Sequence, residues 1–349
     1  MHSNGAIPLN MRRSKMKRTV LVACLVLVLG CSVLFAKGAT EEKKADGSMK
    51  VALLLSGPAN DQGWNAVAFE GLKAAEAKYN LSTAYSENVG IADGEAAYRD
   101  YAAQGYDLVI GHGFQFGDPA VRVAAQFPDT KFMAIESNSF SANTASYVMA
   151  CEEAGYLMGM LSSSMSKTGV IGIVGGFEQP SIVKVVEAYK LGAKAVNPSI
   201  KVLEAYVSSF TDVSLGKEAG LSMADQGADV LSHIANQAGT GVIKAAEERG
   251  LLATGDSYDQ NSIAPNTVMA STIYSVPALV LTAVEKVSTD TYVGGVFNLG
   301  MKDGVVDISG YNSFDAKIPS EVKERIASTK DKILDGSFKV PLIETRTTK

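Results

Sequence analysis

A chain of 349 residues, 46% apolar and 20% charged, has the composition of a folded protein and the length for two domains of ~100–200 residues each. Its net charge of −5 comes without a basic patch in the body of the chain, which argues against a nucleic-acid binder.

At the start, Arg12, Arg13, Lys15, Lys17 and Arg18 precede an apolar run from Val20 to Leu29, the pattern of a signal peptide over residues 1–30. The run is shorter than the ~20 residues a spanning helix needs. It ends at Val28-Leu29-Gly30-Cys31, a lipobox that predicts lipidation of Cys31 and attachment to a membrane by that anchor only. Two acyl chains, at ~0.8 kcal/mol per buried CH2, hold a soluble domain stably. Cleavage near Ala36 or Ala39 is the alternative. Residues 31–48 carry Glu41-Glu42-Lys43-Lys44 and no apolar period, as a tether would. Cys24 leaves with the leader and Cys31 takes the lipid, so Cys151 has no disulfide partner and is expected to be a small buried residue.

From Met49 onward, short runs rich in Val, Ile and Leu alternate with stretches of helical period, which predicts βαβ units on parallel sheets. Val51–Leu55, Leu108–Ile110, Val170–Val174 and Val230–Leu231 are continuously apolar, as strands buried on both faces are. The chain also repeats itself weakly. The segment from Val51 resembles that from Val170, with Glu70 and Lys73 matching Glu187 and Lys190, and Gln104-Gly105-Tyr106-Asp107 through His112 resembles Gln226-Gly227-Ala228-Asp229 through His233. Two half-length α/β units with the same opening predict two similar lobes whose strand carboxyl ends face a crevice.

Ligands of open α/β sheets bind beyond those carboxyl ends. Four loops there combine rings with amides or carboxylates. The first holds Asn60, Asp61, Asn65 and Trp64, the only tryptophan; the second Phe114, Gln115 and Asp118; the third Phe177 and Gln179; the fourth Asp256 and Tyr258. Flat apolar faces beside directional hydrogen-bonding groups suit a planar heterocycle with polar edges. Asp61, Asp118 and Thr240 also fall where helix N-caps belong. No G-x-G-x-x-G follows the first strand and no G-x-x-x-x-G-K-[ST] occurs, which argues against dinucleotide and nucleoside triphosphate sites. His112 and His233 lack neighbours spaced for a metal or for nucleophilic catalysis, so no metal, cofactor or enzyme activity is expected.

The stretches NDQGWN, GHGFQFGDP, EEAGYLMGMLSSSMSKTGVIGIVGG, GAKAVNP and QAGTGVIKAAEERG resemble the BMP (basic membrane protein) family of substrate-binding lipoproteins over nearly all of Met49 to Phe314. The resemblance implies an α/β, type I periplasmic-binding-protein fold: two doubly wound, Rossmann-like lobes joined by a three-strand hinge. The lobes would be 49–150 plus 274–302 and 151–273 plus 303–345. It implies a periplasmic, membrane-anchored monomer that delivers a ligand to an ABC permease in the inner membrane, and many members bind purine nucleosides. Carried over position by position, the family's site falls on Trp64, Asn60, Asp61, Asn65, Asp118, Phe210 and Asp256, and Asn236 joins the candidate set. One departure stands out. Where nucleoside binders have a lysine shortly after a Thr-Ser pair, this chain reads Ala270-Ser271-Thr272-Ile273-Tyr274. A phenol there adds a ring, and the chain looks closest to the riboflavin-binding members, with the purine nucleoside receptor and a non-transport surface lipoprotein as alternatives.

Overall fold

The computed structural model describes residues 48–61 and 63–347, so the leader, Cys31 and nearly all of the expected tether lie outside the described residues. In chain order the strands are β1 (Lys50–Leu55), β2 (Ser82–Ser86), β3 (Leu108–His112), β4 (Lys131–Ile135), β5 (Thr144–Met149), β6 (Val170–Gly175), β7 (Lys201–Tyr206), β8 (Val230–Ile234), β9 (Leu252–Gly255), β10 (Val268–Tyr274), β11 (Gly295–Leu299) and β12 (Val306–Ile308). They form two six-stranded sheets, ordered β11-β5-β4-β3-β1-β2 and β12-β10-β9-β8-β6-β7.

The two orders are the same once β1 is matched to β6, and the repeat holds at residue level. Leu55 of β1 pairs with His112 of β3, and Val174 of β6 pairs with His233 of β8. The sheets differ at one edge: β11 runs parallel to β5, whereas β12 runs antiparallel to β10. The central strands are buried throughout, as their unbroken apolar sequences require; Val51, Ala52, Leu53, Leu54 and Leu55 have no solvent exposure.

The chain passes between the sheets three times: after β5, into the helix Cys151–Met165 on the second sheet; after β10, into the helix Val276–Ser288 on the first; and after β11, into β12. Tyr274, set at the start of the returning segment, is instead the last residue of β10 in the second sheet. Helices Cys151–Met165 and Pro180–Val196 cross at reciprocal glycines. A Cβ on Gly159 would lie 2.0 Å from the Tyr189 carbonyl oxygen, and one on Gly192 would lie 1.9 Å from that of Tyr156. Near the first crossing, Lys184 reaches from the second lobe to Glu136 of the first at 3.2 Å and donates to the Met149 carbonyl at 2.6 Å.

Candidate functional site

A cavity of about 580 Å³ lies between the lobes, beyond the carboxyl ends of both sets of strands. Its first-lobe wall begins where β1 ends. The loop there turns on Asp61, whose buried carboxylate accepts the backbone N–H groups of Gly63 (2.9 Å), Asn65 (3.1 Å) and Ala66 (3.0 Å) at the open start of the helix Trp64–Tyr79. A carboxylate placed there satisfies donors that have no partner within the helix and faces the positive end of its dipole. It also accepts the Asn65 side-chain amide at 2.8 Å.

That geometry sets Trp64 at the first helical position, half-buried and facing the cavity. Its indole stacks on His112 at the end of β3, with ring centroids 3.9 Å apart and planes 22° from parallel. His112 Nε2 lies 2.8 Å from the Trp64 carbonyl oxygen. Burial pushes the His112 pKa down to about 4, against the opposing pull of that carbonyl and of Asp61, so the ring is neutral at pH 7. One face of the Trp64 ring is thus occupied within its own lobe, while the residue also lines the cavity.

The second-lobe wall carries Phe177 and Phe210, whose rings sit 5.0 Å apart and tilted by 57°. Glycine is required beneath them, because a Cβ on Gly176 would lie 2.3 Å from the Phe210 ring. Deeper, Asp256 accepts the hydroxyls of Ser257 (3.0 Å) and Thr272 (2.9 Å). Burial raises its pKa, partly countered by His233 and by those hydroxyls. The Tyr274 hydroxyl is buried beside Asp256 and Thr272, and burial and the Asp256 charge both push its pKa up. Glu136 and Cys151 close the hinge end. Three carboxylates, Asp61, Glu136 and Asp256, line the cavity, and no described lysine or arginine does.

Residues 48–343 match the Bmp family, described as ABC transporter substrate-binding protein PnrA-like. The chain belongs to the Bmp family. It is 29% identical to the ABC transporter nucleoside-binding protein BmpA of Lactococcus lactis over 346 residues, 92% of this chain and 97% of that one. It is 28% identical to a purine-binding protein of Brucella abortus over 84% of this chain and 83% of that one. A solved ABC transporter solute-binding protein from Aeropyrum pernix superimposes with a TM-score of 0.77 at 23% identity, covering 84% of this chain and 94% of that one, which shows a shared fold.

Of the residues expected at the Bmp protein's site, Asp61, Trp64, Asn65, Phe114, Gln115, Phe177, Gln179, Phe210, Asn236, Asp256 and Tyr274 line the cavity. Three expected residues lie elsewhere. Asn60 is exposed and does not line the cavity. Asp118 is exposed, lies within the helix Gly117–Ala124 rather than at its cap, and accepts the Ser139 hydroxyl. Tyr258 packs against the apolar core. Thr240 caps nothing, because its helix begins four residues earlier at Asn236, and its hydroxyl donates to the Gln237 carbonyl. Sequence reasoning missed Glu136, Ile91 and Gln237 on the cavity wall. Glu136 follows β4 with φ of +60° and carries no ring or glycine to mark its loop. Its position at a strand's carboxyl end was the available signal.

Proposed function

We propose that this Bmp protein is the non-catalytic receptor of an ABC uptake system, that Cys31 anchors it by lipid outside the cytoplasm, and that its ligand is riboflavin. The observation that carries the ligand assignment is the cavity's inventory. Trp64 and Phe114 from one lobe and Phe177, Phe210 and Tyr274 from the other surround one space with three carboxylates and no described cation. Rings on both sides suit a wide, flat heterocycle, and carboxylates and amides suit donors on its edge and on a hydroxylated chain. The volume falls within the ~300–1,000 Å³ of small-molecule sites. Ligand touching both lobes favours the closed arrangement by its differential affinity and moves the chain about its three crossings.

A purine nucleoside is the second reading, favoured by the two relatives described as nucleoside-binding and purine-binding. Two measurements separate them: the visible absorption spectrum of protein purified without added ligand, and calorimetry with riboflavin and inosine. The riboflavin assignment expects a flavin band or submicromolar riboflavin binding. Colourless protein that binds inosine and ignores riboflavin would remove it.

A further inference from the structure

The two lobes repeat one arrangement behind the cavity wall. His112 stands opposite Leu55, and His233 opposite Val174, so the histidines hold the same register position in the two halves. Both are buried, and neither lines the cavity. In the first lobe, His112 Nε2 faces the Trp64 carbonyl oxygen at 2.8 Å. A carbonyl only accepts, so Nε2 carries the proton, and Nδ1 is bare and has no partner among the described residues. In the second lobe, His233 Nε2 lies 2.9 Å from Gln260 Oε1, the same oxygen that accepts the Asp256 backbone N–H at 2.9 Å. That backbone donor fixes the orientation of the amide, so His233 also donates from Nε2, and its Nδ1 likewise has no partner among the described residues. Burial lowers both pKa values and keeps both rings neutral, in one tautomer.

We propose that His112 and His233 are paired positioning residues: His112 fixes the plane and lateral setting of the Trp64 indole, and His233, through Gln260, fixes the backbone that presents Asp256. Stacking alone leaves one ring free to slide over another. A hydrogen bond from the same imidazole to the tryptophan's own carbonyl removes that freedom, so the exposed indole face is set before a ligand arrives. The inference rests on the reading that Trp64 and Asp256 meet the ligand.

Trp64 is the chain's single tryptophan, so emission excited at the long-wavelength edge, beyond tyrosine absorption, and the dichroism bands at that same edge report its setting. The test compares His112→Gln, which keeps a donor and loses the ring, with His112→Phe, which keeps the ring and loses the donor, and with His233→Gln. Unfolding followed by far-ultraviolet dichroism identifies which variants fold. In ligand-free protein, His112→Gln is expected to shift the indole emission and change its near-ultraviolet bands, and His112→Phe to restore part of both. Affinity for riboflavin or inosine, whichever the wild type binds, should fall about tenfold in His112→Gln. His233→Gln should lower affinity and leave the indole spectra unchanged. Folded His112 variants with wild-type indole spectra would overturn the first half, and a folded His233→Gln with wild-type affinity the second. Should the wild type bind neither ligand, the proposed function falls, while the ligand-free spectra still decide the His112 half. Hydrogen exchange of the Asp256 backbone amide, expected to quicken in His233→Gln and unchanged if the His233 half is wrong, decides the other.

Discussion

Asn236 of the second lobe bridges Asp61 and Trp64 of the first: its side-chain nitrogen donates to Asp61 Oδ2 at 3.1 Å, and its side-chain oxygen accepts the Trp64 backbone N–H at 3.0 Å. It does so from a left-handed backbone, φ +48°, a conformation asparagine adopts more readily than most residues. A Cβ on Gly63 would lie 2.1 Å from that side-chain oxygen, so glycine gives the amide its room. Asn236→Ala removes both bonds and leaves Asp61 its four donors from the first lobe. The expected result is an affinity loss of about 1–3 kcal/mol and a larger radius of gyration for ligand-free protein in small-angle scattering. If neither changes, this contact does not hold the lobes together.

Phosphorylation of the ligand should abolish useful binding. Three carboxylates line the cavity without a described lysine or arginine, and Lys184, buried near its hinge end, is committed to Glu136, Glu152 and the Met149 carbonyl. A phosphate dianion would be desolvated there without a counter-charge. Flavin mononucleotide should bind at least about 100-fold more weakly than riboflavin, and inosine monophosphate likewise against inosine. Equal affinity in competition calorimetry would show that a cation reaches the site.

Lys184 is 2% exposed and Glu136 8%. Burial opposes the lysine's charge, but the neighbouring carboxylates outweigh it and raise its pKa. Lys184→Met leaves Glu136 and Glu152 buried without their cation, at a cost of about 3–5 kcal/mol. Denaturant unfolding should show that loss, and adding Glu136→Gln should recover part of it. Full stability in the single variant would mean that water or a rearranged side chain replaces the ammonium.

His112 predicts an acid-side weakness. Its folded pKa of about 4 lies below the ordinary 6.5 of the unfolded chain, so the unfolded state binds more protons between those values. Stability from this group is therefore full above pH 6.5 and is lost as pH falls toward 4, by about 3 kcal/mol. His233 shifts in the same direction, whereas Asp256 and Glu152, raised by burial, oppose it. The difference in unfolding free energy between wild type and His112→Phe isolates the histidine. That difference should move against the wild type by about that amount from pH 7 to pH 4, and a pH-independent difference would contradict the assignment.

Gly192→Ala places a methyl group 1.9 Å from the Tyr156 carbonyl oxygen, so the two crossing helices must separate. The expected cost is about 1–3 kcal/mol, read as a lower midpoint of thermal unfolding. Gly336→Ala provides a contrast: no atom of the described residues lies within 4 Å of the added methyl, and its φ of +77° strains the backbone alone.

Much of this was legible in the sequence for a physical reason. Strands buried on both faces are written as unbroken apolar runs, so Val51 and Val170 announced equivalent strands, and the pairings of His112 and His233 place those residues in equivalent registers. Rings in loops at strand ends marked the cavity because those loops lie beyond the carboxyl ends of the strands, where it forms. The failures concern direction. Asp118 and Tyr258 share loops with cavity residues, but their side chains turn toward solvent and core. Glu136 went unseen because its loop after β4 has no ring or glycine beside it, and its pairing with Lys184, 48 residues away on the other lobe, leaves no local pattern. The bridge from Asn236 to Asp61 spans 175 residues, and no local pattern encodes it.

The three crossings also bear on the order in which the molecule can be completed. β5 stays an open edge of the first sheet until β11 arrives, and between them the chain must run through the whole second sheet except β12. An open parallel edge is a template for mispairing with another chain. As the polypeptide emerges from its N-terminus, the first lobe therefore waits, unfinished, on the synthesis of the second, and Gly295–Leu299 is the segment that ends its exposure. A peptide of that sequence, supplied while the strand is still missing, would compete for the same edge.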